Sequence, residues 1–585
     1  MALSTCFAST ACHTGSKGWV VASQVRSQPS TRRSANYQPS SWDYDSLQSL
    51  KSGDLNGTHT THLEKLKEDA RHLLFKEAEP VARLKLVDAL QRLGLGYHFE
   101  EEIKDVLGSM PIERADLMFK DDIHSMSLLF RLLREHGFPV SSDIFSGFTE
   151  EKGNFKASLL KDTHGLLSLH EASYLAFEGE TLLDEARMFT TKYLSDLKLH
   201  MEPHLKGKVS LALDLPLHWR TPRLEARWHI DQYERSGNME PMLLQFAKHD
   251  FNTVQSIHQN EIRKLTRWWK DVGLGDRLSF ARDRLIEYFF FATGIVFEPH
   301  LGYCREELTK AFALVAIIDD FYDIYGTLDE LNLFTSAVQR WDSNAMEGFP
   351  EYMKILYSAL YNTTNEVADH IRREEGWDAL PYLRKAWEDL FNAFLTEAKW
   401  HYNSYKPTLE EYLNNARMSV SGCVLLVHAS LLSRQRITKE ALQCLETYPS
   451  LFLSSSEIFR LCNDLATSSA ELERGDTPTS IQCYMQDNGV SEAVARKGVQ
   501  DLIISSWKKL NKDAVDCHPL PRFIANAAIN LGRISHCTYH KGDGLGAPDQ
   551  EKKNMIKSLF FDPVELKGGQ DSFGLLDDRL VVSNV

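Results

Sequence analysis

The chain has 585 residues, 43% hydrophobic and 25% charged, the balance of a globular protein with room for two or three domains. A formal net charge of −15 leaves no surplus of basic side chains to neutralise a polynucleotide, which argues against nucleic acid as a partner. No apolar run approaches the roughly 20 residues of a membrane helix, and the nine cysteines, none in a CxxC pair, suggest neither a zinc site nor a disulfide framework.

Residues 1–31 contain no Asp or Glu, several Ser and Thr, and the basic Lys17 and Arg26, without a continuous apolar core. That is the composition of an organelle transit peptide rather than a secretory signal. A basic, Pro-containing arm follows, with Arg32-Arg33 and, after eight residues, Trp42. From His62 to Tyr233 the apolar residues recur at spacings of three and four, as in LEKLKEDARHLLF and ARLKLVDALQRLG, so this half reads as consecutive helices. It carries no chemistry of its own. His170-Glu171 has Tyr174 where a metalloprotease needs a second histidine, and Lys120-Asp121-Asp122 lacks the first acid of a DxDD motif. Ser236-Gly237-Asn238, followed by Pro241, marks the boundary, giving domains at 32–238 and 239–562.

The second domain is also helical and holds every chemical motif. Seven apolar residues, Phe312 to Ile318, run straight into Asp319, Asp320 and Asp323. On a helix, Asp319 and Asp323 stand one above the other, about 5–6 Å apart at Cβ. Two like charges at the end of a buried helix repel unless a cation lies between them, and a hard divalent ion such as Mg2+ suits carboxylate oxygens. Further on, Asn463, Thr467 and Glu471 fall on one helical face, with Arg460 one turn earlier. Upstream, Arg282-Asp283-Arg284 supplies two guanidiniums suited to bidentate phosphate contacts. Aromatic residues punctuate these helices, among them Phe291, Phe312 and Phe459. Such rings are usually plain core. Beside a site that generates cations they also offer π faces.

RDR, then DDxxD, then NDxxTxxxE, in this order, resemble the class I terpene synthases of plants, monoterpene synthase type. LPLHWRTPRLEARWHI, RGDTPTSIQCYM and the arm Arg32-Arg33-x8-Trp42 support the resemblance, which covers roughly residues 32–562. It implies an all-α fold, an N-terminal α-barrel-like domain and a C-terminal helical bundle, with the Arg32-Arg33-x8-Trp42 arm folded over the active-site mouth to assist isomerisation of the substrate. It implies a metal set of Asp319, Asp320, Asp323, Asn463, Thr467 and Glu471 around three Mg2+ ions, with Mn2+ as a substitute. Arg282, Arg284 and Arg460 would hold the diphosphate of a prenyl substrate, and Tyr539 and Asp543 match a catalytic stretch near the C-terminus, with Lys541 where His is common. Phe312 and Phe459 match bulky positions that resemble isoprene and ocimene synthases, and Phe291 stands where many cyclising relatives carry Trp, so all three are expected to line the pocket.

The implied reaction is ionisation of geranyl diphosphate to a monoterpene, with an acyclic product of the ocimene, myrcene or linalool type favoured. A cyclic product of the terpineol, cineole or limonene type, or isoprene from dimethylallyl diphosphate, is the alternative, and Thr479 stands where isoprene synthases carry Asn. A chain-elongating prenyltransferase would need a second Asp-rich motif. A helical scaffold would release no diphosphate. A monomer in the plastid is expected. Residues 563–585 lie beyond the family's usual end and read as a mobile tail.

Overall fold

The computed structural model describes Arg32 and residues 35–50, 57–151, 153–237 and 239–566. The transit-peptide segment 1–31, Arg33, Asn238 and the tail residues 567–585 lie outside the described residues. Among the described residues the regular structure is helical, and the one β pairing is an isolated bridge between Thr149 and Phe155. No helix among them is long and apolar enough to cross a membrane.

The N-terminal half is built around α1 (Ile123–Glu135), buried from Ser125 to Arg134. Asp122 caps it, accepting from the Ser125 amide at 2.9 Å and satisfying one of the orphan donors of the first turn. Helix α2 (Thr163–Ser173) packs against α1. His170 is tied there to Thr190 and to the Ala212 carbonyl, and Glu171 accepts from the Leu217 amide, so this His-Glu pair is part of the packing.

Residues 235–240, which contain the expected boundary, separate helix Pro222–Glu234 from α3 (Pro241–Val272). The second half continues with α4 (Leu285–Ile295), α5 (Gly302–Asp320), α6 (Leu380–Tyr402), α7 (Leu409–Ser419), α8 (Ser450–Arg474), α9 (Glu492–Val515), α10 (Arg522–Tyr539) and α11 (Gln550–Phe560). Helix α8 packs on α7, α9 and α10, and α4 packs on α5 and α10. Every residue of α4 is buried, which explains its unbroken apolar run LIEYFFFATGI.

The tail expectation needs correction at its start. Val564 is buried, and its amide and carbonyl are both bonded to the Asn252 side chain on α3, at 2.8 and 2.9 Å. A side-chain amide acts here as a peptide partner, so the chain is held through Val564 rather than released at 563.

Candidate active site

The first acidic stripe begins on α5. Its helical ladder runs to Asp320 and then opens into one π turn, Phe321–Tyr325, closed by Gly326 N–H donating to the Phe321 carbonyl at 2.7 Å. A Cβ on Gly326 would sit 2.6 Å from the Phe321 ring, so the tight exit requires glycine. Asp319 and Asp323 face a cavity of about 520 Å3. Burial raises the pKa of Asp319, with the Arg282 guanidinium opposing the rise. Asp323 is raised well above the carboxylate range by loss of solvent and by Asp319, Glu397, Asp476 and Glu471 around it.

Asp320 leaves the metal set. It is fully buried, absent from the cavity lining, and accepts from the Arg282 main-chain N–H at 2.8 Å, from Nε at 3.0 Å and from Nη2 at 2.6 Å. Helical geometry turns it about 100° from Asp319, away from the stripe. It positions Arg282, whose Nη2 also reaches Asp319 at 2.9 Å.

The second stripe lies on α8, a continuous α-helix that ends at Gly475 in the left-handed conformation. Asn463, Thr467 and Glu471 all line the same cavity. Thr467 Oγ1 donates to the Asn463 carbonyl at 2.9 Å, which leaves its lone pairs for a ligand. Burial and then Asp464 push the Glu471 carboxyl up to about 7. Arg460 reaches the cavity with Nη2 donating to Ser419 at 3.1 Å. Burial works against its charge, but Tyr412, Glu397, Asp464 and Glu471 outweigh it and raise its pKa. Asp464, like Asp320, is fully buried: Tyr412 donates to it at 2.9 Å and the Ser480 amide at 2.9 Å.

Arg284 donates to the Asp283 carbonyl at 2.7 Å and to the Gly546 carbonyl at 3.1 Å, tying the RDR segment to the C-terminal turn. Asp543 organises that turn, accepting from Leu545 and Gly546 amides at 3.0 and 2.8 Å. Tyr539 and Asp543 both line the cavity, and burial and then Asp543 raise the Tyr539 pKa. Lys541 instead pairs with Asp214 of the N-terminal half at 2.9 Å.

Phe291, Phe312 and Phe459 form one cluster, with centroids at 4.7, 5.0 and 6.4 Å from each other. None is among the residues lining the cavity. Phe459 meets Tyr539 at 6.1 Å, so the three rings lie one layer behind that lining residue. Tyr288 packs on Phe312 at 5.2 Å and extends the cluster.

Sequence reasoning missed several lining residues. Glu397 on α6 is bonded to Ser419 at 2.6 Å and Asn415 at 3.1 Å, and burial raises its pKa. The signal was present: Glu397 stands three and seven residues after the buried Phe394 and Leu390, an acid on the inward face. Asp476 and Tyr412 also line the cavity, and nothing in their spacing predicted it; arm residues 35–39 line it as well, at the mouth where the resemblance led the arm to be expected. The arm is fastened to the RDR segment. Tyr37 lies under the Arg282 guanidinium at 5.1 Å, Trp42 donates to Glu287 at 2.9 Å, and Tyr44 donates to Asp283 at 2.5 Å. Arg32 pairs with Glu330 at 2.8 Å, at the start of the helix that follows the π turn.

The donor set fits a hard divalent cation. Asp319, Asp323, Glu397, Glu471 and Asp476 meet in one cleft, and their mutual repulsion shows in the raised pKa of Asp323. Among the described residues no three acidic, His or Cys groups close into a ready-made cage. An open oxygen-lined cleft is what Mg2+ takes when a phosphate supplies the remaining ligands.

Residues 41–213 match the family described as "Terpene synthase, N-terminal domain", and residues 270–509 match "Terpene synthase family, metal binding domain". The chain is 50% identical to chloroplastic alpha-thujene synthase of Litsea cubeba over 532 residues, 91% of this chain and 92% of that one. It is 47% identical to chloroplastic myrcene synthase of Quercus ilex over 551 residues, 94% of this chain and 92% of that one. Among solved structures it resembles isoprene synthase from grey poplar leaves in complex with three Mg2+ ions and dimethylallyl-S-thiolodiphosphate. That match has a TM-score of 0.82 and 46% identity, covering 90% of this chain and 99% of the other.

Proposed function

The chain belongs to the terpene synthase family and is a carbon–oxygen lyase acting on prenyl diphosphates, and we propose that its substrate is geranyl diphosphate and its product an acyclic monoterpene. The observation that carries this reading is the convergence of two oxygen-bearing helical stripes and four arginines, Arg282, Arg284, Arg460 and Arg474, on one cavity of about 520 Å3, a volume in the usual range for small-molecule sites.

In the proposed reaction Asp319, Asp323, Asn463, Thr467 and Glu471 would hold Mg2+, or Mn2+ in its place, which would supply charge neutralisation to the diphosphate leaving group. Asp320 fixes the Arg282 guanidinium before substrate arrives, and Arg284 and Arg460 bring two further fixed charges. These are preorganised donors for the negative charge that develops on the departing oxygen. The allylic C–O bond breaks and its electron pair leaves with the diphosphate. The lining rings Tyr322, Tyr412 and Tyr539 offer the carbocation π faces, and the buried aromatic layer behind Tyr539 helps keep water out. Proton loss, or capture of a water, ends the reaction.

The acyclic preference rests on the cluster of Phe291, Phe312 and Phe459. Packed ring on ring behind Tyr539, it backs the cavity wall and keeps the cavity from deepening to take a prenyl tail folded back on C1. The similarity to alpha-thujene synthase favours a second reading with a cyclic product, and the likeness to isoprene synthase a third, on dimethylallyl diphosphate. The protein acts as a monomer in the plastid, a location supported by the acid-free residues 1–31 and by the chloroplastic relatives. Gas chromatography of products from dimethylallyl, geranyl and farnesyl diphosphates with Mg2+ tests the assignment. Acyclic C10 products from geranyl diphosphate are expected; turnover of the other substrates alone would overturn it.

A further inference from the structure

Arg284 and Glu287 stand one turn apart at the start of α4, and both are buried, at 3% and 1% exposure. Arg284 lies close enough to favour the charged form of the Glu287 carboxyl, yet among the described residues the two form no ion pair. Instead each keeps one buried polar atom without a partner: Nε of Arg284 and Oε2 of Glu287. One is a cationic donor and the other an anionic acceptor. Leaving such a bond unmade in a buried place is costly, so something must hold the two side chains apart.

The arm does this. Trp42 Nε1 donates to Glu287 Oε1 at 2.9 Å, and its ring packs on Phe561 with centroids 5.6 Å apart. Two residues further, Tyr44 donates to Asp283 at 2.5 Å, and the Trp269 indole of α3 supports the same carboxylate. Both carboxylates beside Arg284 are thus engaged by neutral donors. Burial raises the Glu287 pKa, and Trp42, its own amide and Arg284 oppose the rise; the amide contact is too poorly aligned to satisfy Oε2. Arg284 itself is held by carbonyls alone, those of Asp283 and Gly546 at 2.7 and 3.1 Å, while it lines the cavity. Its charge is left unpaired where an anionic ligand would meet it.

We propose that Glu287 is a positioning residue, held off Arg284 by the Trp42 indole, so that docking of the arm leaves the Arg284 charge free for the diphosphate. The proposal rests on the reading of Arg284 as a diphosphate ligand. Glu287 has two competing donors, one neutral and one cationic. While Trp42 holds Oε1, Arg284 keeps its bonds to the two carbonyls. Without the indole N–H, Glu287 is a buried carboxylate with no aligned side-chain donor, and the guanidinium one turn away is the stronger partner. Side chains three apart on a helix are within reach of each other. That ion pair would draw Arg284 from Gly546 and cancel its charge toward the ligand.

Calorimetric titration of inorganic diphosphate with Mg2+ into the full chain tests the coupling. Trp42→Phe keeps a ring against Phe561 and removes the N–H; the Kd for diphosphate should rise about tenfold, the scale of one hydrogen bond to a charged group. Adding Glu287→Gln, which has no charge to set against Arg284, should recover most of that loss, and the KM for geranyl diphosphate should move in parallel. A purely structural Glu287 predicts a further loss in the double variant. That result, or a Trp42→Phe affinity equal to wild type, would overturn the proposal. Should Trp42→Phe not fold, Tyr44→Phe loosens the same arm, and the same rescue by Glu287→Gln is expected; its absence would count equally against the coupling. Wild type that binds no diphosphate with Mg2+ would instead remove the reading of the cavity itself, and the proposal with it.

Discussion

The two oxygen-bearing stripes that line the cavity are built to the same plan and anchored differently. In each, one acid of an adjacent pair is turned inward: Asp320 beside Asp319 and Asp464 beside Asn463. Asp320 spends both oxygens on Arg282, a residue that itself reaches the cavity. Asp464 spends its oxygens on Tyr412 and on the amide of Ser480 at the start of the next helix. The first stripe therefore hydrogen-bonds its anchor to a guanidinium, while the second hydrogen-bonds it to α7 and the helix after α8, with the Arg460 guanidinium only at 3.8 Å. The first sits on a helix that opens into a π turn, a feature frequent at functional sites; the second sits on an uninterrupted helix. Repeated Asp in such a motif is thus two jobs, one facing the ligand and one holding the wall.

The largest expected effect comes from removing both outward acids of the first stripe. Asp319→Ala with Asp323→Ala should lower turnover by at least about 10²–10³-fold, the scale of losing a preorganised charge-stabilising group. Circular dichroism should show the fold intact, since neither carboxylate is a structural anchor. Near-normal turnover would remove the metal role.

Asp320→Ala should behave differently. Breaking a buried ion pair costs about 3–5 kcal/mol, so this variant should lose both stability and activity, with the melting temperature falling well below that of Asp319→Ala. Equal melting temperatures would show that Asp320 is not an anchor.

Substitution in the ring cluster sharpens the comparison on the product side. Phe312→Ala or Phe459→Ala should raise the cyclic-to-acyclic ratio from geranyl diphosphate, because ionisation residues are untouched while space opens behind Tyr539. About 3–5 kcal/mol of stability should be lost as well. A lowered melting temperature with an unchanged ratio would assign the rings to core alone.

The bundle, its helix order and the outward members of both stripes were legible because each rests on a local period: apolar residues at three and four, oxygen donors at four. The inward acids were not legible, since DD and ND look alike whichever member faces the ligand. Only the partner across the fold, Arg282 for Asp320 or Tyr412 for Asp464, decides it. The arm lining the cavity and the anchoring of Val564 by Asn252 involve contacts between residues hundreds of positions apart, for which no spacing rule exists. Glu397 is the exception, an acid visible on the inward stripe of α6.

The smallest effect is the share of a protonation linkage carried by Glu471, beside that of the raised Asp319 and Asp323 on the other stripe. Glu471, with its pKa raised to about 7, is largely protonated in the metal-free protein below that pH. A metal ligand must be deprotonated, so Mg2+ binding should release a proton there, and affinity should weaken by up to about tenfold per pH unit below 7. The part due to Glu471 should fade above its pKa of about 7. Calorimetry in two buffers of different ionisation enthalpy reads the proton, and Glu471→Gln should remove this contribution.

The central claim is that the two stripes hold one metal–diphosphate assembly between them. Titration of inorganic diphosphate into the protein, with and without Mg2+, addresses it most directly, using wild type, Asp319→Ala with Asp323→Ala, and Glu471→Ala. Tight binding is predicted for wild type with Mg2+ alone, and its loss in both variants, each of which removes only one stripe. Binding that persists without Mg2+, or that survives the loss of either stripe unchanged, would contradict the account.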